Sequence, residues 1–180
     1  MKPIILFLIV TLIFSCSNET EESGQVDENI NLIDLSTFIG KSYSEIYNLK
    51  SEYWQYPNFL LIPTIEGEYQ ITIDFNNYDD IESADITGLW GQLSNQVYGT
   101  FVDLNIVEKL INYNFNEPPT YIYKVSIYDA NKKETYINVE DLFSNISNFE
   151  NDYSYYVIWE LNNLSYSIYI EGGKLQFSIY

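Results

Sequence analysis

Three stretches near the C-terminus alternate apolar and polar side chains: Tyr155 to Leu161, Leu164 to Glu171 and Lys174 to Tyr180. They are separated only by Asn162-Asn163 and Gly172-Gly173. Asparagine and glycine tolerate the positive φ angles that the two central residues of a tight hairpin need. Each turn therefore sets a register. Leu161 opposite Leu164 puts Trp159 opposite Tyr166 and Val157 opposite Ile168. Glu171 opposite Lys174 puts Ile170 opposite Leu175 and Ile168 opposite Phe177. Both hairpins then send their apolar residues to one face, and a slip of one residue would reverse them all.

Similar grammar recurs upstream. Ser42-Tyr43-Ser44-Glu45 matches a capping box and starts a helix in which Ile46 and Leu49 recur at helical spacing, to about Lys50. Asn58 to Thr64 and Glu68 to Phe75 read as strands joined at Glu66-Gly67. Ile65 opposite Glu68 pairs Ile62 with Ile71 and Leu60 with Ile73. One apolar face of Leu60, Ile62, Tyr69, Ile71 and Ile73 results. A turn at Asn76 to Asp80 precedes a short third strand through Ala84 and Ile86. A helix over Asp103 to Tyr113 follows, then a hairpin of Tyr121 to Tyr128 with Glu134 to Val139, turning over Asp129 to Lys133. A helix from Val139 to Ile146 leads into the C-terminal meander. The expected class is α+β, with repeated helix plus antiparallel β-meander units and helices packed on one face of the sheet. The expected units are 33–99 and 100–180, packed together.

The chain carries 18 Tyr, 10 Phe and 3 Trp and is 46% hydrophobic, so it can build a core despite a net charge of −18. That charge repels phosphate backbones, whose binding depends on Lys and Arg releasing counterions, and nucleic acid is not an expected partner. His and Arg are both missing. Ser-His-Asp and Cys-His catalysis, imidazole zinc sites and bidentate Arg recognition of phosphate fall away with them. What survives is carboxylate, Lys, Tyr or Ser chemistry, or a metal on oxygen ligands; no motif calls for a cofactor, and the chain does not read as an enzyme.

The N-terminus reads as a secretion signal: Lys2, an apolar stretch from Ile4 to Phe14, and the small Ser15, giving a signal peptide over 1–15. The stretch is too short to span a bilayer, which needs roughly 20 apolar residues. Ile13-Phe14-Ser15-Cys16 resembles the lipobox of bacterial lipoproteins, with Phe14 bulkier than the residue usual there. The resemblance implies a diacylglycerol on the Cys16 thiol, cleavage before it, often N-acylation with a palmitate-like chain, and stable attachment to a lipid bilayer by several chains. No second cysteine offers a disulfide. Residues 16–32 then form an acidic tether with almost no apolar content, and folding is expected from near Ile33. The acids Glu19, Glu21 and Glu22 after Cys16 resemble the export signal of lipoproteins of the Bacteroidetes type, which implies the outer membrane and its surface-exposed face. Phe38-Ile39-Gly40-Lys41-Ser42, with its capped helix and meander, loosely resembles the repeats of β-lactamase-inhibitor-like and BamE-like envelope lipoproteins; no functional residue transfers from them.

The candidate binding face is the outer side of the C-terminal meander, with Tyr156, Tyr169, Gln176 and Tyr180 among Ser165, Ser167 and Ser178. Tyrosine offers apolar area with a polar handle, which suits an envelope protein or a glycan. The plainer explanation is β propensity alone, or burial beneath a helix. Asp74, Asn76, Asp79, Asp80 and Glu82 could supply oxygens to Ca²⁺, but Tyr78 breaks the EF-hand spacing and an acidic turn explains them as well. Asp129-Ala130-Asn131 has the same two readings, and Glu160 sits on a polar face. Three functions stay open: a membrane-anchored protein-binding or inhibitory module, a glycan-binding surface lipoprotein, and a carboxylate-dependent hydrolase, which needs a carboxylate pair that no spacing singles out.

Overall fold

Side-chain alternation is the organising pattern of the tertiary structure. The computed structural model describes residues 29–47, 53–94, 103–145 and 152–180. In chain order the elements are α1 (Leu32–Ser36), α2 (Tyr43–Ile46), β1 (Trp54–Tyr56), β2 (Phe59–Thr64), β3 (Gly67–Phe75), β4 (Ile86–Leu93) and α3 (Leu104–Asn114). Then come β5 (Tyr121–Ser126), β6 (Lys133–Thr135), α4 (Val139–Asn145), β7 (Tyr153–Leu161), β8 (Leu164–Glu171) and β9 (Lys174–Ile179). The leader, Cys16, the acidic tether to residue 28, the helix end at Lys50, the unit boundary at 99/100 and the helix end at Ile146 lie outside the described residues.

All nine strands form one antiparallel sheet in the order β1-β2-β3-β4-β9-β8-β7-β5-β6. This corrects the expected architecture. Among the described residues there is no repeated helix-plus-meander unit with helices as a packed layer; a single large sheet carries four short helices. The reason is the pairing of β4 with β9, Leu89 opposite Ile179 and Gly91 opposite Phe177, which merges what read as separate meanders.

The C-terminal registers match the sequence reading pair for pair, Trp159 with Tyr166 and Ile168 with Phe177 included. Asn162 and Asn163 take φ of 53° and 64°, and Gly172 and Gly173 take 57° and 75°, the left-handed region that closes a two-residue hairpin. The first hairpin differs. Its turn residues are Ile65 and Glu66, so Ile62 faces Tyr69 and Leu60 faces Ile71, two positions from the expected pairing. A shift of two keeps every side chain on its face, and Leu60, Tyr69, Ile71 and Ile73 are all buried. The expected third strand extends to Leu93. The hairpin of β5 and β6 is shorter than expected, because Val139 starts α4 and Tyr128 points into solvent.

The helices are locally encoded. Asn31 and Asp103 accept the N–H groups of Asp34 and Asn105 as N-caps. In the short α2, Glu45 accepts from both the Ser42 N–H and the Ser42 hydroxyl at 2.8 Å, and this holds its carboxyl below the usual range. Leu32 and Leu35, then Val107, Leu110 and Ile111, bury into the same core as the sheet residues. Ile30 and Leu32, within the stretch read as tether, are buried too. Asn114 clasps the two segments, accepting from the Leu32 N–H at 2.6 Å and donating to the Ile30 and Leu110 carbonyls.

Two glycines make room for aromatic rings at the central seam. A Cβ at Gly91 would overlap the Phe177 ring, which is fully buried, whereas one at Gly88 would overlap the ring of Tyr180, which is half exposed. Phe177 cannot move without disturbing its neighbours, and Tyr180 can swing outward. Gly91→Ala should therefore cost about 2–3 kcal/mol as an overpacked core site, and Gly88→Ala less than about 1 kcal/mol. Urea denaturation of both variants checks this; equal costs would contradict the difference in freedom between the two rings.

Candidate functional site

Side chains of odd and even positions part to opposite faces of the sheet. With Val157, Trp159, Ile168 and Phe177 turned to the core, the intervening positions form the outer face. Register then places Gln70, Gln92, Gln176, Tyr169, Tyr156 and Tyr123 in one row across six strands. Tyr156 opposite Tyr169 follows from the turn at Asn162-Asn163 and was legible in the sequence. Tyr123 joins because β5 pairs with β7, a contact between segments distant along the chain.

The rings of this row form a continuous stack. Tyr123 and Tyr156 lie 5.0 Å apart at 22°, and Tyr156 and Tyr169 lie 5.3 Å apart at 16°. Lys133 on the edge strand β6 holds its ammonium 3.6 Å over the outer face of Tyr123. At the other end the Trp90 indole N–H donates to the Tyr169 hydroxyl. Each ring face is thus covered by a neighbouring ring or cation over most of the row. What points outward is a line of ring edges and hydroxyls.

Burial raises the pKa values of these phenols. Tyr169 is pushed up to about 12, mainly by desolvation, with the Trp90 hydrogen bond acting the other way. Tyr156 and Tyr123 are raised by desolvation as well, Tyr156 further by the Glu171 carboxylate. Gln176 is buried beside Tyr169. Tyr180 is not in the row. It lies two rows along over Gly88, half exposed, and donates to Asp74 at 3.2 Å. Trp90, Tyr123 and Lys133 belong to the surface yet were not marked by any local signal; the alternation of Tyr121 and Tyr123 was the only hint.

The acidic loop holds itself together. Asp74 accepts from the hydroxyls of Tyr78 and Tyr180, Asp80 accepts from Ser83 at 2.6 Å, and Asn76 exchanges hydrogen bonds with Asp85. Asp129 accepts from the Asn131 backbone and amide, an Asx turn. Glu160 accepts from Ser165 at the exposed edge of its hairpin. These hydrogen bonds engage the carboxylates of Asp74, Asp80, Asp85, Asp129 and Glu160 within the protein itself.

The stack makes alkaline titration informative. A phenol whose folded pKa is raised binds its proton more tightly in the folded state, so its contribution is complete below pH 10 and is lost as pH rises through the folded value. Ultraviolet difference titration should show a tyrosine step near pH 12 that is lost in Tyr169→Phe, leaving the still later ionisation of the fully buried Tyr69. In Trp90→Phe the step should move higher, since an opposing hydrogen bond is gone. Ionisation of every tyrosine near pH 10 in the folded protein would contradict the stacked geometry.

Comparison with protein-family models, curated proteins and solved structures returns no match for this chain.

Proposed function

We propose that the protein is an envelope lipoprotein, anchored by an acylated Cys16, whose folded part binds or inhibits another protein without catalysing a reaction on it. The observation that carries this reading is the stacked row of Tyr123, Tyr156 and Tyr169, locked at one end by Trp90 and at the other by Lys133. Such a row is already ordered, so a partner that docks on it immobilises few rotamers, and ordering each rotamer-rich side chain otherwise costs about 0.5–1.5 kcal/mol. Ring edges with hydroxyls suit the mixed apolar and hydrogen-bonding surface of a protein. Ser167 and Ser178, paired across β8 and β9 beside the row, extend the hydrogen-bonding capacity of the face.

The glycan reading has less support. A sugar ring stacks its C–H face on a free aromatic face, and Tyr156 has both of its faces covered by Tyr123 and Tyr169. Tyr180, on the same face outside the row, is half exposed, with its ring over Gly88.

Two experiments bear on the proposal. Cys16→Ser should abolish lipid labelling and move the protein from the membrane to the soluble fraction; full membrane retention without label would overturn anchoring. A photo-crosslinker in place of Ser167, beside the row, should capture a protein in intact cells, and Tyr156→Ser with Tyr169→Ser should remove that adduct while the protein still folds. Adducts that survive the double substitution would overturn the outer face as the contact.

A further inference from the structure

On the core side of the sheet a cavity of about 300 Å³ opens between the end of α3, residues 115–119 and the start of α4. Phe115, Val139, Phe143 and Trp159 supply apolar walls, and Ile137 stands at 92% exposure at the mouth. Stacking and hydrogen bonds hold the walls. Phe115 stacks on Trp159 with 3.9 Å between ring centres at 8°, the Trp159 indole N–H donates to the Glu117 carbonyl at 3.0 Å, and Asn138 caps α4 by accepting from the Asp141 N–H at 2.7 Å. A volume at the low end of the roughly 300–1,000 Å³ typical of ligand sites suits a single side chain rather than a folded segment.

The charges around it have one sign. Glu108, Glu117 and Glu140 line the cavity as exposed residues, and no lysine is among the lining residues. Lys109, the next residue after Glu108, reaches away to Glu66 at 2.6 Å. The salt bridges of the described residues, Lys109–Glu66 and Lys124–Glu134, leave these three carboxylates uninvolved. An apolar hole with an anionic mouth is complementary to an aliphatic stem that ends in a cation.

We infer that this cavity receives a lysine side chain of a protein partner, with the stem against Phe143 and Val139 and the ammonium among Glu108, Glu117 and Glu140. The inference concerns a site separate from the tyrosine row. It can fail while Cys16 anchoring and outer-face crosslinking succeed, and the reverse also holds.

The test uses the full-length protein in detergent micelles, followed by amide and indole nuclear magnetic resonance. The probes are n-butylammonium, n-butanol, butyrate and a pentapeptide of alanines with a central lysine. Butylammonium should shift the Trp159 indole N–H and the amides of residues 137–140 saturably, at least tenfold more tightly than butanol or butyrate, and the peptide should bind at least as well as the free amine. Salt at about 0.5 M should weaken binding several-fold by screening. Glu117→Gln with Glu140→Gln, both at exposed positions, should bring butylammonium down to the level of butanol. Equal binding of butanol, no shift at Trp159, or binding of the free amine with none of the peptide would each overturn the assignment.

Discussion

The pairing of β4 with β9 is the contact on which the rest of the structure depends. It inserts the last strand of the chain into the middle of the sheet, with Leu89 against Ile179 and Gly91 against Phe177. On one side β3, β2 and β1 follow as a local meander; on the other β8 and β7 do, and β5 then joins β7 by a second long-range pairing, with β6 as its short hairpin partner. Contacts across this seam close long loops; the Trp90–Tyr169 hydrogen bond alone spans 79 positions. Closing a loop of that length costs about 2 kcal/mol more than closing one of ten residues, because the entropy grows only logarithmically. Full burial of one side chain such as Phe177 supplies about 1.5–3 kcal/mol. The seam is therefore favourable once its apolar residues meet, and glycine at 91 lets them meet.

Joining the halves also extends the outer surface, while the cavity on the core side is built within residues 108–159. On the core side, the Phe115–Trp159 stack links the C-terminal end of α3 to β7 and shapes the cavity between α3 and α4. On the outer side, six strands align a row that runs from glutamines to stacked tyrosines. The sheet edges are short: β1 and β6 have three residues each, which limits edge-to-edge pairing. Lys133 on β6 adds charge at that edge while completing the stack.

Local rules were sufficient wherever turn chemistry specified geometry. Asn162-Asn163 and Gly172-Gly173 each admit one tight hairpin, and the registers of β7, β8 and β9 were read correctly from them. The β2–β3 turn was ambiguous, since Gly67 could sit in the turn or start the strand, and the reading slipped by two without changing faces. Strand β4 was legible only at its start, because Gly88 and Gly91 remove side chains from the alternating pattern and Trp90 falls on the outer face. The fold class failed for a related reason. Meanders counted separately looked like repeats, and no local signal indicates which strand edges will meet.

By itself the sequence determined the meander at the C-terminus, the opposition of Tyr156 and Tyr169, the capping box at Ser42 and the absence of imidazole and guanidinium chemistry. These follow from side-chain alternation, allowed φ angles and composition, all of which act over a few residues or over none. Only the tertiary structure decided that there is one sheet, that Tyr123, Trp90 and Lys133 complete the stacked row, and that three glutamates share an apolar cavity. Those arrangements join segments far apart along the chain, and their partners are selected by burial of the whole apolar face rather than by any local pattern.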